Sequence, residues 1–146
     1  LIIDWGARYE GYISDLTRSF FVRNSNTDLQ NIAVVVEKAN EAAREACQSG
    51  ITSGEIDAAA RTVIDDAGYG QYFIHRTGHG IGLEVHEEPY IQKDVSTTIE
   101  PGMVFTIEPG IYIPGVGGIR IEDNIVVNDK TCDTLTTLPR KVRFID

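Results

Sequence analysis

Residues 75–89 read HRTGHGIGLEVHEEP and hold all three histidines of the chain, His75, His79 and His86. Gly78, Gly80, Gly82 and Pro89 fall within the same stretch, which argues against a helix through it. Glycines on both sides of His79 remove neighbouring side chains and let other groups approach the backbone closely. Imidazole is the commonest side-chain metal ligand and the usual proton carrier near neutral pH. A Gly-rich buried strand with its histidines satisfied by carboxylates is the plain alternative. The acidic residues on either side decide between the two.

Downstream, the sequence reads as strands over residues 103–108, 111–113 and 119–127, with a turn at Glu100-Pro101-Gly102. A flexible loop, PGVGG, spans residues 114–118. A hairpin centred on Gly115 sets Glu108 opposite Glu122, and opposed residues of an antiparallel pair share a face. Alternation along IRIEDNIVV puts Arg120 and Glu122 on one face and Ile119, Ile121 and Asp123 on the other. Glu108 lies in the apolar run VFTIEPGIYI, where an unpaired carboxylate is costly.

Upstream, residues 1–22 read as a second hairpin, with strands at 1–7 and 12–22 and a turn at Arg8-Tyr9-Glu10-Gly11. A turn centred between Tyr9 and Glu10 would set Asp4 opposite Asp15. Like charges so placed repel unless a cation lies between them. After a polar connection at 23–28, a helix is predicted over 29–47, with Thr27 and Gln30 at capping-box spacing. Its apolar stripe is Leu29, Ile32, Val36, Ala39 and Ala43, and Gly50 closes it. A second helix is predicted over 54–67, with Thr52 and Glu55 as capping box, Ile56, Ala59, Ala60, Val63 and Ile64 buried, and Gly68 as its end. Both helices read as scaffold without chemistry.

The chain has 146 residues, enough for one domain with a substantial core. A formal net charge of −9 argues against nucleic acid as partner. No apolar run has the length of a membrane span, and the opening LIID does not read as a secretory leader. Cys47 and Cys132 have no metal-type spacing and read as packing residues in a reducing cytoplasm. The opening resembles a strand entered midway, so a longer polypeptide is expected. Leu1, Ile2, Ile3, Phe20 and Phe21 would then lack part of their covering, and such an edge recruits a partner. A homodimer is expected.

Asp4, Asp15, His79, Glu108 and Glu122 together form a candidate ligand set of four carboxylates and one imidazole. That set suits Mn, Co, Zn or Fe as divalent ions. Carboxylates can bridge, so two ions are more natural than one, and such pairs activate a shared water for hydrolysis.

The motifs DWGARYEGYISDLTRSF, HRTGHGIGLEVHEEP, FTIEPGIYIPG and GGIRIEDNIVV closely resemble the Xaa-Pro peptidase branch (prolidase and aminopeptidase P) of the pita-bread metallopeptidases. The resemblance implies an α+β fold: a β-hairpin, two helices, then antiparallel strands of one curved sheet. It implies that residues 1–146 are a single catalytic domain without its N-terminal half. It implies two divalent ions, manganese foremost, held by the five ligands with Asp15 and Glu122 bridging. Glu108 would shuttle protons, His75 and His86 would position the scissile carbonyl and the proline, and Arg120 would support the carboxylates. The expected substrate is a proline-containing peptide, cleaved at its Xaa-Pro bond. Methionine aminopeptidases share GHGIG and TIEP, but the 14 positions from Glu108 to Glu122 and the wording IPGVGGIRIED resemble the Xaa-Pro branch more. A pita-bread module that binds peptides without catalysis is the other alternative, although none of the five ligands is replaced.

Overall fold

The computed structural model describes residues 1–23 and 26–146. The polar connection read over 23–28 falls partly on residues 24 and 25, outside the described residues. Strands β1 (Ile2–Tyr9) and β2 (Tyr12–Val22) form the opening hairpin. Helices α1 (Thr27–Ala46) and α2 (Ser53–Asp66) follow, then a single 3-10 turn at Gly70–Tyr72. The strands after it are β3 (Gly78–Gly80), β4 (Glu87–Ile91), β5 (Val104–Ile107), β6 (Gly110–Ile113) and β7 (Gly117–Arg120). β8 (Asp123–Val127), β9 (Cys132–Thr134) and β10 (Arg143–Ile145) complete the order.

The strands pair in three groups, antiparallel as expected apart from β10. They run β1-β2-β10, β4-β3-β5-β8-β9 and β6-β7. β10 lies parallel to β2, because the chain returns to that edge over a long connection instead of a hairpin.

The first hairpin turns on Glu10 and Gly11, with φ of 50° and 94°. Positive φ at both turn residues suits the right-handed twist of the flanking strands. The register therefore sets Asp4 opposite Thr17 and Asp15 opposite Gly6, two residues away from the pairing expected. A slip of two keeps side chains on the same face, so Asp4 and Asp15 still meet, as diagonal neighbours.

The second hairpin keeps the register read about Gly115, since Ile113 faces Gly117 and Gly110 faces Arg120. β5 and β8 continue it, with Ile107 opposite Asp123. Between the two ladders lie Glu108, Pro109, Ile121 and Glu122, where strand pairing is interrupted. Asn40, wholly buried on α1, donates to the carbonyls of Ile107 (3.2 Å) and Ile121 (3.4 Å), the residues just before the two glutamates. The helix that read as inert scaffold thus steadies the interruption.

Asn26, not Thr27, caps α1, accepting from the amide of Leu29 at 2.8 Å. Asn is the stronger cap, and its use starts the helix earlier than read. The Thr52–Glu55 capping box of α2 forms as expected. α1 packs on β5, β6 and β7, and α2 on β4. Ile32, Val36, Ile56, Ile64, Phe105, Ile107, Ile111 and Ile121 are fully enclosed between them. Each such side chain contributes about 1.5–3 kcal/mol of burial.

Cys47 at the end of α1 and Cys132 on β9 form a disulfide, with Cα atoms 5.9 Å apart. They are not two separate packing residues, and the inference of a reducing compartment drawn from them has no footing. The fold brings together positions 85 residues apart, which spacing alone could not reveal. β1 is an edge strand, and Leu1, Ile3 and Trp5 are exposed along it. Phe21, expected to be uncovered, is buried against Phe144 of β10. No helix among the described residues is long and apolar enough to cross a membrane.

Candidate metal centre

His79 stands on β3, where glycines flank it for a steric reason. A Cβ on Gly78 would overlap the Thr106 carbonyl, and one on Gly80 would overlap the carbonyl of Glu88. Only glycine lets β3 lie so close to its neighbours. Thr106 receives the His79 amide on its hydroxyl (3.1 Å), and Thr77 just ahead accepts the amide of Glu108 (2.7 Å). Thr77 is held in turn by Asp57 of α2 (2.7 Å), which also takes both arms of Arg61.

The imidazole is buried, and its Nδ1 lies 3.0 Å from the Gly80 carbonyl. A carbonyl only accepts, so Nδ1 carries the proton and Nε2 presents a lone pair. Burial lowers the His79 pKa to about 4, with His86 and Arg76 adding to the effect, so the ring is neutral at pH 7. Its contacts with carboxylates are therefore not ion pairs. Nε2 lies 3.3 Å from Glu108 Oε1 and 3.9 Å from Asp15 Oδ2.

Donor atoms of Asp15, His79 and Glu122 all lie within 4.8 Å of one another. Asp4 and Glu108 stand outside that triple. Asp4 is turned onto Arg120, whose Nη2 donates to it, and Glu108 accepts from the Thr106 hydroxyl at 3.3 Å. Burial raises the Asp15 pKa, with the Asp4 charge adding to it. Burial pushes Glu108 up to about 7 against the pull of Arg120. Glu122 rises to about 9 through burial and the charges of Glu108, Asp15 and Asp4, against a 2.6 Å bond from Thr17.

A lone pair facing several carboxylates that resist ionisation describes a place short of positive charge. Oxygen donors with one imidazole fit a divalent ion, so the residues present suit the metal that the resemblance implies.

A cleft of about 440 Å³ opens beside this cluster, lined by His75, Arg76, His86, Gln92, Glu108 and Arg120. His86 is exposed, its ring edge-on to His79 at 4.3 Å between centroids. Both nitrogens of His75 are engaged within the protein, with the Arg76 carbonyl (2.7 Å) and the Tyr112 hydroxyl (2.9 Å). Burial lowers the His75 pKa, so Nδ1 donates to the carbonyl and Nε2 accepts from Tyr112. Arg120 donates to Tyr112 (2.9 Å), Thr17 (3.2 Å) and Asp4, linking the cleft wall to the carboxylates. The sequence reading missed Tyr112 and Thr17. Tyr112 lies on Arg120's face of the second hairpin and Thr17 on Asp15's face of the first. That parity was the one signal available.

Solved structures share this fold. The structure of a dipeptidase from Pyrococcus horikoshii OT3 superposes with a TM-score of 0.97 at 51% identity, over 99% of this chain and 40% of that one. An X-Pro aminopeptidase from Thermotoga maritima superposes with a TM-score of 0.94 at 41% identity, over 99% of this chain and 41% of that one. In sequence, an Xaa-Pro dipeptidase of Pyrococcus furiosus is 45% identical over 142 residues, 97% of this chain and 41% of the relative. The chain thus spans about two fifths of the length of these relatives. Its α+β arrangement is that of the pita-bread fold. Residues 1–129 match metallopeptidase family M24, and the chain belongs to that family.

Proposed function

We propose that the protein hydrolyses the Xaa-Pro bond of dipeptides or peptide N-termini, using two divalent ions held by Asp4, Asp15, His79, Glu108 and Glu122. The observation that carries this reading is the convergence of Asp15, His79 and Glu122 within 4.8 Å around a neutral imidazole. The likeness to an Xaa-Pro dipeptidase and an X-Pro aminopeptidase supports the substrate class. Manganese is the proposed native ion, since carboxylate-rich sets suit it.

Bound divalent ions supply Lewis acidity and make water acidic enough to attack near neutral pH. Glu108 faces the cleft, where it would accept a proton from the attacking water and pass it to the leaving proline nitrogen. Asp15 on β2 and Glu122 just before β8 meet at His79 and would help to hold the ions. His86, exposed in the cleft, is free to donate to the scissile carbonyl. His75 has both nitrogens engaged, so its proposed part is to hold Tyr112 and, through it, Arg120. Association of residues 1–146, expressed alone, through the exposed edge of β1 belongs to the same proposal. A monomer at all concentrations in sedimentation equilibrium would remove it.

Proline release from Gly-Pro and from a longer Xaa-Pro peptide tests the activity in the natural full-length protein. Release that requires Mn²⁺ and stops with EDTA is expected. No release from either substrate, with methionine released from a Met-Ala peptide instead, would overturn the assignment.

A further inference from the structure

The carboxylates of the site come from two different sheets. Asp4 and Asp15 belong to β1 and β2, while His79, Glu108 and Glu122 belong to the sheet of β3, β5 and β8 or its margins. No regular ladder joins β2 to β8. Their seam is sewn mainly by side chains, in antiparallel order. Asn124 and the main chain of Asp15 exchange bonds of 2.6 and 3.4 Å. The Glu122 amide reaches the Thr17 carbonyl at 3.1 Å, and the Ser19 hydroxyl both accepts from the Arg120 amide and donates to its carbonyl.

Arg18 closes this seam. It is 3% exposed, and its guanidinium makes five hydrogen bonds, as many as it has N–H groups. Nη1 bridges the carbonyls of Thr17 on β2 (2.8 Å) and of Glu122 just before β8 (2.6 Å). Nη2 grips the fully buried Asp123 at 2.7 Å and the Leu138 carbonyl at 2.8 Å, and Nε takes the Pro139 carbonyl at 3.0 Å. Arg18 and Asp123 point away from the site, because each neighbours in sequence a residue that points into it, Thr17 and Glu122. Arg140 holds the other oxygen of Asp123 at 2.7 Å but touches neither Thr17 nor Glu122.

The geometry points to Arg18, set by Asp123, as the positioning residue that holds the strand of Asp15 against the strand of Glu122 so that carboxylates of two sheets can share ions. This rests on the metal reading of the site. A lysine has three N–H donors and no planar fork, so it cannot reproduce the five bonds that Arg18 makes. The neighbouring Arg140 supplies the control, since it has the same charge and the same partner without the bridge.

Two readouts on the natural full-length protein separate the claims. The first is amide hydrogen exchange at Glu122 and Asp15 in EDTA. Arg18→Lys is expected to speed it by about tenfold or more, as local opening at the seam becomes easier. Arg140→Lys is expected to leave it within about threefold of the parent. The second is Mn²⁺ affinity by calorimetry. A loss of roughly 10–100-fold is expected for Arg18→Lys, as for other residues that orient ligands, and no such loss for Arg140→Lys. If Arg18→Lys does not fold, the near-isosteric Asp123→Asn, which weakens the same grip, is expected to give the same two effects. Unchanged exchange at Glu122, or unchanged Mn²⁺ affinity beside faster exchange, overturns the proposal. So does an equal loss in Arg140→Lys. A parent that binds no Mn²⁺ overturns the metal reading, and the exchange data then still decide whether Arg18 closes the seam.

Discussion

Glu108 and Glu122 carry the same carboxylate, yet burial leaves one at about 7 and the other at about 9. The difference follows from their neighbours. Arg120 offsets part of the burial at Glu108, whereas Glu122 has the charges of Glu108, Asp15 and Asp4 against it. The histidines divide as clearly, since His79 offers a lone pair to the cluster, His86 stands exposed beside it, and His75 is occupied on both sides. His79→Ala is therefore expected to lose metal. His86→Ala is expected to keep it while turnover falls roughly 10²–10⁴-fold, the loss typical of a removed acid–base or polar group. Metal analysis beside kinetics checks this, and equal metal loss in both variants would refute the division. The sequence offered these residues as candidates because histidine and acidic residues in apolar surroundings are conspicuous. The roles of Thr17, Arg18 and Tyr112 were not, because a hydroxyl or an arginine on a strand gives no sign of its partner a hundred positions away.

The elements show which features a local pattern can carry. Apolar spacing located both helices, and Thr52 with Glu55 marked the start of α2 correctly. α2 supports the histidine loop through Asp57 and Thr77, but its cap lies on the surface. Thr52→Ala is expected to lower stability by about 1 kcal/mol with metal content unchanged. Urea denaturation and elemental analysis measure the two effects, and loss of metal would show that the start of α2 helps set the site. The first hairpin was misread by two residues because alternation is blind to an even slip. Only the backbone of Glu10 and Gly11, both at positive φ, distinguishes the two registers. The second hairpin was read in its true register because the glycine-rich loop around Gly115 admits little else. What no local pattern could show is the interruption between the two ladders at Glu108 and Glu122, where Asn40 arrives from α1 and donates to the carbonyls of Ile107 and Ile121.

At the scale of the molecule, two sheets and two helices confine acidic groups that would separate if the chain unfolded. Above the ordinary histidine range, where the lowered His75 and His79 no longer differ in charge from the unfolded chain, the raised pKa values of Asp15, Glu108 and Glu122 make the folded, metal-free protein bind more protons. Their contribution to stability is fully present below the ordinary carboxylate range and is lost as pH rises through about 7 and then about 9. In EDTA the Tm is expected to fall from about pH 7 to about pH 9, and Mn²⁺ to restore more of it at the alkaline end, where its ligands are already ionised. A Tm in EDTA that stays level or rises over that range would contradict this. The central claim is that carboxylates from two sheets share two ions through Asp15 and Glu122. Elemental analysis of the natural full-length protein and its Asp15→Asn variant tests it most directly. Two divalent ions per chain in the parent and reduced occupancy of both in the variant are expected, while a variant that keeps full two-ion loading would contradict the account.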